Sequence, residues 1–301
     1  MDKRIVITGA DGLLGKLCIK HFQSQQGCEV VQMRRKTINL ADEKHIRRAM
    51  AKAGDYDVII NCAAMTNVDG CEDDPEAAHQ INGDAVGVLG EIAAEDGAQV
   101  IHISTDYVFD GEKDGPYTED DETNPISVYG ASKLAGEQLL FESFPDHLVV
   151  RVAWLYGPGK QGFPEWVIRQ ALEKDELSIV SDKSGSPTYA PDLLQALESF
   201  VFCEEPYYGV VHFSNSGECS WLEWAQHCID CAADAGLPIK AKKLGEQSMA
   251  DLAKLANWKA KRPQNSVFST EKFTTATGQT PRDWKEAVAE YVTEHLATEL
   301  A

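Results

Sequence analysis

Three glycines, Gly9-x-x-Gly12-x-x-Gly15, stand between the apolar run Ile5-Val6-Ile7 and an apolar helical pattern over 13–22. A glycine triplet alone is weak evidence. Placed directly after a first strand and opening a helix, it specifies a tight backbone turn that brings main chain close to a pyrophosphate at the positive end of a helix. On this reading Gly9 permits the turn, Gly12 lets the backbone approach the phosphates, and Gly15 lets helix and strand pack closely. Asp11, Leu13 and Leu14 belong to the same cofactor-binding turn. The spacing departs from G-x-G-x-x-G by one residue.

The rest of the first half repeats this strand-then-helix order. Apolar strands are expected over 29–31, 57–61, 99–104 and 148–152, with helices over 41–53, 75–95 and 127–141 between them. Apolar strands separated by helices predict an α/β fold, a doubly wound parallel sheet of the Rossmann type covered on both faces. Beyond about 155 the pattern loosens into glycine, proline and aromatic clusters. Helical spacing recurs near 163–173, 190–202, 220–234 and 282–297. Residues 1–155 are therefore read as a dinucleotide-binding domain to which 163–202 returns. Residues 156–301 are read as mainly a smaller, partly interwoven α/β substrate lobe.

Charge narrows the partners. With 28 Lys and Arg against 48 Asp and Glu, the formal net charge is −20, which disfavours nucleic acid and anionic membrane surfaces. No run of about 18 apolar residues predicts a membrane span, and the first strand begins almost at Met1 with no signal-like segment, so a cytoplasmic protein is expected. The eight cysteines include no paired C-x-x-C motifs and are expected as free thiols, with no metal site.

The end of the second expected strand reads Gln32-Met33-Arg34-Arg35-Lys36. An acidic residue here would hold a ribose 2′-hydroxyl, whereas Arg34 and Arg35 suit a 2′-phosphate. NADPH is therefore expected, with NADH as the alternative. Tyr129 and Lys133 supply the chemistry. Four residues apart on a helix, they share a face, and a neighbouring ammonium is expected to lower the phenol from its usual value near 10. A second copy of the spacing, Tyr156 and Lys160, runs into Gly157-Pro158-Gly159, which breaks a helix, and is set aside. Thr105, at the carboxyl end of the fourth strand, is the expected hydroxyl partner of Tyr129. The set reads as acid-assisted reduction of a carbonyl.

These motifs come with others in a fixed order: Asn61-Cys62-Ala63-Ala64-Met65-Thr66-Asn67-Val68-Asp69, Ser104-Thr105-Asp106-Tyr107-Val108-Phe109-Asp110-Gly111, Tyr129-Gly130-Ala131-Ser132-Lys133, Arg151-Val152-Ala153-Trp154, Gly185-Ser186-Pro187-Thr188 and Arg262-Pro263-Gln264-Asn265-Ser266. Together they resemble the extended short-chain dehydrogenase/reductase superfamily and, within it, the dTDP-4-dehydrorhamnose reductase family, from about residue 4 to about 290. The resemblance implies Thr105, Tyr129 and Lys133 as the catalytic set, with Tyr129 and Lys133 also touching the cofactor. It implies Ala63, Ala64 and Thr66 along the cofactor and Asn39 and Leu40 near the adenine. Val68, Asp106, Tyr107 and Trp154 would meet a nucleotide sugar together with Thr105 and Tyr129. Related dehydratases carry Thr-Asp-Glu where this chain has Thr105-Asp106-Tyr107, so reduction is expected rather than loss of water. Leu17 stands where some relatives place a glutamate that bridges a dimer through a metal. A monomer or weak homodimer is therefore expected. Two alternatives stay open: a reductase of another nucleotide-linked keto sugar, and a non-catalytic NADP-binding subunit resembling the regulatory subunit of methionine adenosyltransferase.

Overall fold

The computed structural model describes residues 2–300. Its centre is a six-stranded sheet formed by β1 (Lys3–Thr8), β2 (Cys28–Met33), β3 (Val58–Asn61), β4 (Gln99–Thr105), β5 (Leu148–Val152) and β6 (Gly209–Phe213). The spatial order is β6-β5-β4-β3-β1-β2, and every neighbouring pair is parallel. The chain leaves β1 in one direction to β2 and in the other to β3. That reversal opens a crevice at the carboxyl ends of β1 and β3, where sheets of this kind bind ligands.

Alternation along the strands divides the core. Ile5, Ile7, Val58 and Ile60 face α1 (Leu13–Gln23), while Val6 and Ile59 face α2 (Glu43–Ala53) on the opposite side. In α1, Leu14, Cys18, Ile19 and Phe22 form the buried stripe. Each large side chain of that kind contributes about 1.5–3 kcal/mol on burial. In α2 the stripe is Ile46, Ala49, Met50 and Ala53, and the Asp42 side chain caps its start by accepting from the His45 N–H.

After α3 (Val68–Asp73), the helix expected over 75–95 is interrupted. It comprises α4 (Pro75–His79), a π turn at Gln80–Asp84 and α5 (Ala85–Glu95). The π turn places Asn82 inward, fully buried. Its Oδ1 accepts from the Met65 N–H at 2.7 Å, and its Nδ2 donates to the Met65 carbonyl at 3.1 Å and to Ser132 Oγ at 3.0 Å. The turn thus joins the loop after β3 to α6 (Val128–Ser143). A π turn is frequent where a helix must aim one side chain into a site.

The two halves interleave more than a boundary near 155 suggests. The helix α7 (Phe163–Glu173), expected to rejoin the first lobe, instead packs its Val167, Ile168 and Ala171 into the second core with α9 (Trp221–Asp234). α8 (Ala190–Val201) lies against α1 through Leu193, Leu197 and Phe200. The strand β6, which falls within the region assigned to the second lobe, completes the central sheet beside β5. It pairs with β5 along its whole length and becomes the edge of the sheet. Among the described residues, no helix is long and apolar enough to cross a membrane.

α6 packs a charged pair against the middle of this sheet. Arg151 of β5 donates to Glu137 through Nη2 at 2.7 Å and Nε at 3.0 Å, with both side chains almost completely buried. Ser104 Oγ also donates to Glu137. Glu137→Ala would strand the guanidinium and is expected to cost about 3–5 kcal/mol. Arg47→Ala, at an exposed pair with Glu43, is expected to cost under about 1 kcal/mol. Urea midpoints at unchanged slope measure both; equal losses would contradict the assignment.

Candidate active site

The glycine turn adopts the geometry its spacing demands. Gly9 has φ of +64°, and a Cβ there would meet Ala63 N at 2.7 Å. A Cβ on Gly15 would lie 2.2 Å from the Gly9 carbonyl oxygen. A side chain at Gly15 would push α1 away from the turn, and one at Gly9 would push the turn off the loop after β3. No side chain caps the start of α1, so its first N–H groups are free to meet an anion.

From this turn a cavity of about 740 Å³ runs along the carboxyl ends of β1, β3 and β4. Gly9, Asp11, Gly12, Leu13 and Leu14 line one end, with Arg35, Asn39 and Leu40 beside them. Ala63, Ala64, Thr66 and Val68 line the middle. Thr105, Asp106, Tyr107, Tyr129, Lys133 and Trp154 line the other end. Of the residues singled out from sequence, Gly15 and Arg34 do not line it. Gly15 works through packing. Arg34 is turned aside to Asp11 and to Gln32 Oε1, the latter at 2.7 Å. Of the two arginines, Arg35 faces the cavity.

Ser127 caps α6 by accepting from the Gly130 N–H at 3.2 Å, so Tyr129 stands in the first turn with Lys133 one turn on. Thr105 Oγ1 donates to Asp106 Oδ1 at 3.0 Å and lines the same cavity as the Tyr129 phenol. The Tyr107 ring meets Tyr129 edge-on, 5.3 Å between centroids.

The electrostatics differ from the sequence expectation in one respect. Burial pushes the Tyr129 phenol above its usual range, the Thr105 hydroxyl opposes this, and Asp106 and Cys71 add to the rise. Lys133 does not lower it, because its Nζ is directed into the sheet, donating to the Ile103 carbonyl at 2.7 Å and lying 2.9 Å from His102 Nε2. Burial instead lowers Lys133 to about 8, against the opposing pull of Glu137 and Cys62. The result is a phenol that stays protonated at neutral pH beside a lysine that titrates close to it.

Trp154 closes the end of the cavity beside Tyr107 and Tyr129. It holds φ of +47°, uncommon for a bulky residue and associated with functional sites. One ring face stacks on Trp224 at 5.5 Å. Gly185 makes this possible, since a Cβ there would lie 2.4 Å from the indole. Trp154 Nε1 and Asp106 Oδ2 are buried without protein partners, as is Nε1 of the stacked Trp224. Burial raises the Asp106 carboxyl, with Lys183 opposing.

Tyr156 and Lys160 also line the cavity, but not as a pair. Tyr156 is buried in an aromatic cluster with Tyr189, Trp224 and Tyr291, whereas Lys160 is exposed. Gln161 and Gly162, which sequence reasoning passed over, follow at the rim; the Gly157-Pro158-Gly159 loop after a strand end was the available signal. Lys183 was also missed. It is buried, donates to the Pro263 carbonyl and lies 5.8 Å from the Trp154 and Trp221 rings. Nothing local marks a lone lysine after an aspartate as buried.

Comparison with known proteins fits this geometry. Residues 3–297 match the family model described as the RmlD substrate binding domain. The chain is 38% identical to the spore coat polysaccharide biosynthesis protein SpsK of Bacillus subtilis, covering 97% of both chains. It is also 38% identical to a dTDP-4-dehydrorhamnose reductase of Mycolicibacterium smegmatis, over 97% of this chain and 86% of that one. Among solved structures, a dTDP-4-dehydrorhamnose reductase of Clostridium acetobutylicum superposes with a TM-score of 0.87 at 34% identity, covering 96% of this chain and 98% of that one. The Bacillus anthracis reductase in complex with NADP gives a TM-score of 0.86 at 30% identity, covering 97% and 99%. The glycine cradle, the uncapped helix and Arg35 suit the cofactor of that complex, and the chain belongs to the RmlD family of NADPH-dependent dTDP-4-dehydrorhamnose reductases.

Proposed function

We propose that this chain reduces the 4-keto group of dTDP-4-dehydro-6-deoxy-L-hexulose to give dTDP-L-rhamnose, with Tyr129 as the acid. The observation that carries the reading is one cavity holding the pyrophosphate turn, the Thr105–Tyr129 hydroxyl pair and the Trp154 wall. Relatives bearing this activity in their names support the substrate.

NADPH, when bound, supplies the hydride. The residues of the chain do the rest. Gly9, Gly12 and the start of α1 would receive the pyrophosphate, and Arg35 would meet the 2′-phosphate. Lys133 would hold the nicotinamide ribose through the Nζ proton that Ile103 and His102 leave free. Thr105 Oγ1 orients the sugar carbonyl oxygen and polarises it. Tyr129 gives its proton to that oxygen as the carbonyl carbon becomes an alcohol carbon. A phenol held protonated by burial is the form an acid must have. Tyr107 offers no carboxylate at the place where a dehydrating base would stand. Trp154 presents an apolar ring edge to the methyl and ring C–H groups of a deoxy sugar.

Tyr129→Phe is expected to lower kcat by about 10²–10⁴ with little change in NADPH affinity. NADPH oxidation at 340 nm, with substrate supplied by the preceding enzymes of the route, measures it; wild-type turnover in the variant would refute the acid. Arg35→Ala is expected to weaken NADPH about tenfold and leave NADH unchanged, while Arg34→Ala changes either by less than about threefold. Cofactor titrations followed by fluorescence compare the four cases. Equal losses for both cofactors would remove Arg35 from the 2′-phosphate.

A further inference from the structure

His102 is fully buried on β4 and has no part in the steps above. Both of its ring nitrogens are nevertheless engaged. Nε2 lies 2.9 Å from Lys133 Nζ, and Nδ1 lies 2.9 Å from Asn61 Nδ2. Asn61 Oδ1 lies 2.5 Å from Thr8 Oγ1. The Ala63 N–H completes the set, 3.3 Å from both Asn61 Oδ1 and Thr8 Oγ1. A buried polar chain therefore runs Lys133–His102–Asn61–Thr8 across α6, β4, β3 and β1, directly beneath the cofactor turn.

Donor and acceptor rules allow two arrangements of the Lys133–His102–Asn61 contacts. An ammonium only donates, so opposite a charged Lys133 the His102 Nε2 is bare and the ring proton sits on Nδ1. Nδ1–H then requires the Asn61 carbonyl oxygen. The amide nitrogen turns to donate to Thr8 Oγ1, which also accepts from the Ala63 N–H. An amine can accept. Opposite a neutral Lys133, Nε2–H donates to Nζ and Nδ1 accepts from Asn61 Nδ2. Thr8 Oγ1–H and the Ala63 N–H then both donate to Asn61 Oδ1. The heavy atoms keep the same places in both arrangements, since amide ends and ring nitrogens exchange roles by a flip and a proton shift.

We propose that His102 is a positioning residue for Lys133, and that the Lys133–His102–Asn61–Thr8 chain passes between these two arrangements as the lysine loses a proton to solvent through the cavity and regains it, the single ring proton passing between Nδ1 and Nε2. The proposal rests on Lys133 belonging to the catalytic set. Its consequence is that the imidazole meets Lys133 with a complementary nitrogen in either protonation state of the lysine. Glu137 on α6, itself paired with Arg151 of β5, and Cys62 after β3 are the ionisable groups acting on Lys133. On the ring, burial and then Lys133 both disfavour the imidazolium, and β1 contributes only the neutral Thr8.

Nitrogen-15 histidine labelling of the NADP-bound protein tests this without reference to turnover. Long-range proton–nitrogen correlation separates the two neutral tautomers from the imidazolium, and the His102 signals are those lost in His102→Gln. Across roughly pH 6–10, His102 is expected to remain neutral and to exchange Nδ1–H for Nε2–H with a midpoint near that of Lys133, about 8. A single tautomer throughout, or an imidazolium, would overturn the proposal. In kinetics, His102→Leu removes the acceptor from the ammonium. It is expected to lower kcat roughly tenfold at unchanged KM and to move the alkaline arm of the profile about one unit down. His102→Gln, whose amide offers either an oxygen or a nitrogen, is expected to recover most of both. Equal deficits in the two variants with an unmoved arm would reduce His102 to packing. Loss of activity on Tyr129→Phe bears on the acid alone, so the two readings fail separately.

Discussion

Helix α6 buries a lysine and a glutamate against the middle of a parallel sheet, and the site depends on how those two charges are met. A buried ion without partners would cost several kcal/mol and would neutralise or unfold its surroundings. Glu137 is met by a two-point guanidinium from β5 and a hydroxyl from β4. Lys133 is met by a carbonyl and an imidazole, both from β4. The same bonds fix the rotation of α6 about its axis. Tyr129, one turn before Lys133, then has to emerge beside Thr105. The catalytic geometry is thus set from below, by groups that never touch the reacting atoms.

Burial also separates the two titrations. It raises the phenol and lowers the lysine, because desolvation opposes whichever form carries charge. Both groups are thereby pushed toward their neutral forms. The phenol keeps its proton through the neutral range, while the lysine exchanges its own near the same range. In the proposed mechanism a phenol kept neutral in this way is in the form that can give a proton to a carbonyl oxygen.

The parts legible in the sequence were those whose cause is local. The glycine turn, the alternation of strand and helix and the Tyr129–Lys133 spacing each need only a few adjacent residues. What escaped depends on distant partners. Gly185 is conspicuous only once Trp154 is seen lying across it. Gly209–Phe213 reads as an ordinary apolar run until it is found paired along β5. The π turn at Asn82 has no signature within 75–95, since its purpose is to reach Met65 and Ser132. Arg34 and Arg35 could not be told apart because the difference is Asp11, recruited from the glycine turn. The direction of Lys133 was likewise hidden, since His102 and Ile103 approach it from another strand.

An acidic chain that receives two anions must do so at short range. With a net charge of −20, the far field repels a dinucleotide and a sugar nucleotide alike. Salt confines that repulsion to about 8–10 Å at physiological strength. Inside the cavity, attraction comes from fixed donors instead: the free N–H groups at the start of α1, with Arg35 and Lys160 facing the cavity. Arg262 shows the opposite use of a cation, since Asp69 holds it at 2.9 Å and is itself lowered to about 2 by that bond. Arg262 is thereby committed to joining the second lobe to α3. The charges available to ligands are therefore few, placed by backbone and strand ends, and effective because the low-dielectric walls around them keep water from screening what they offer.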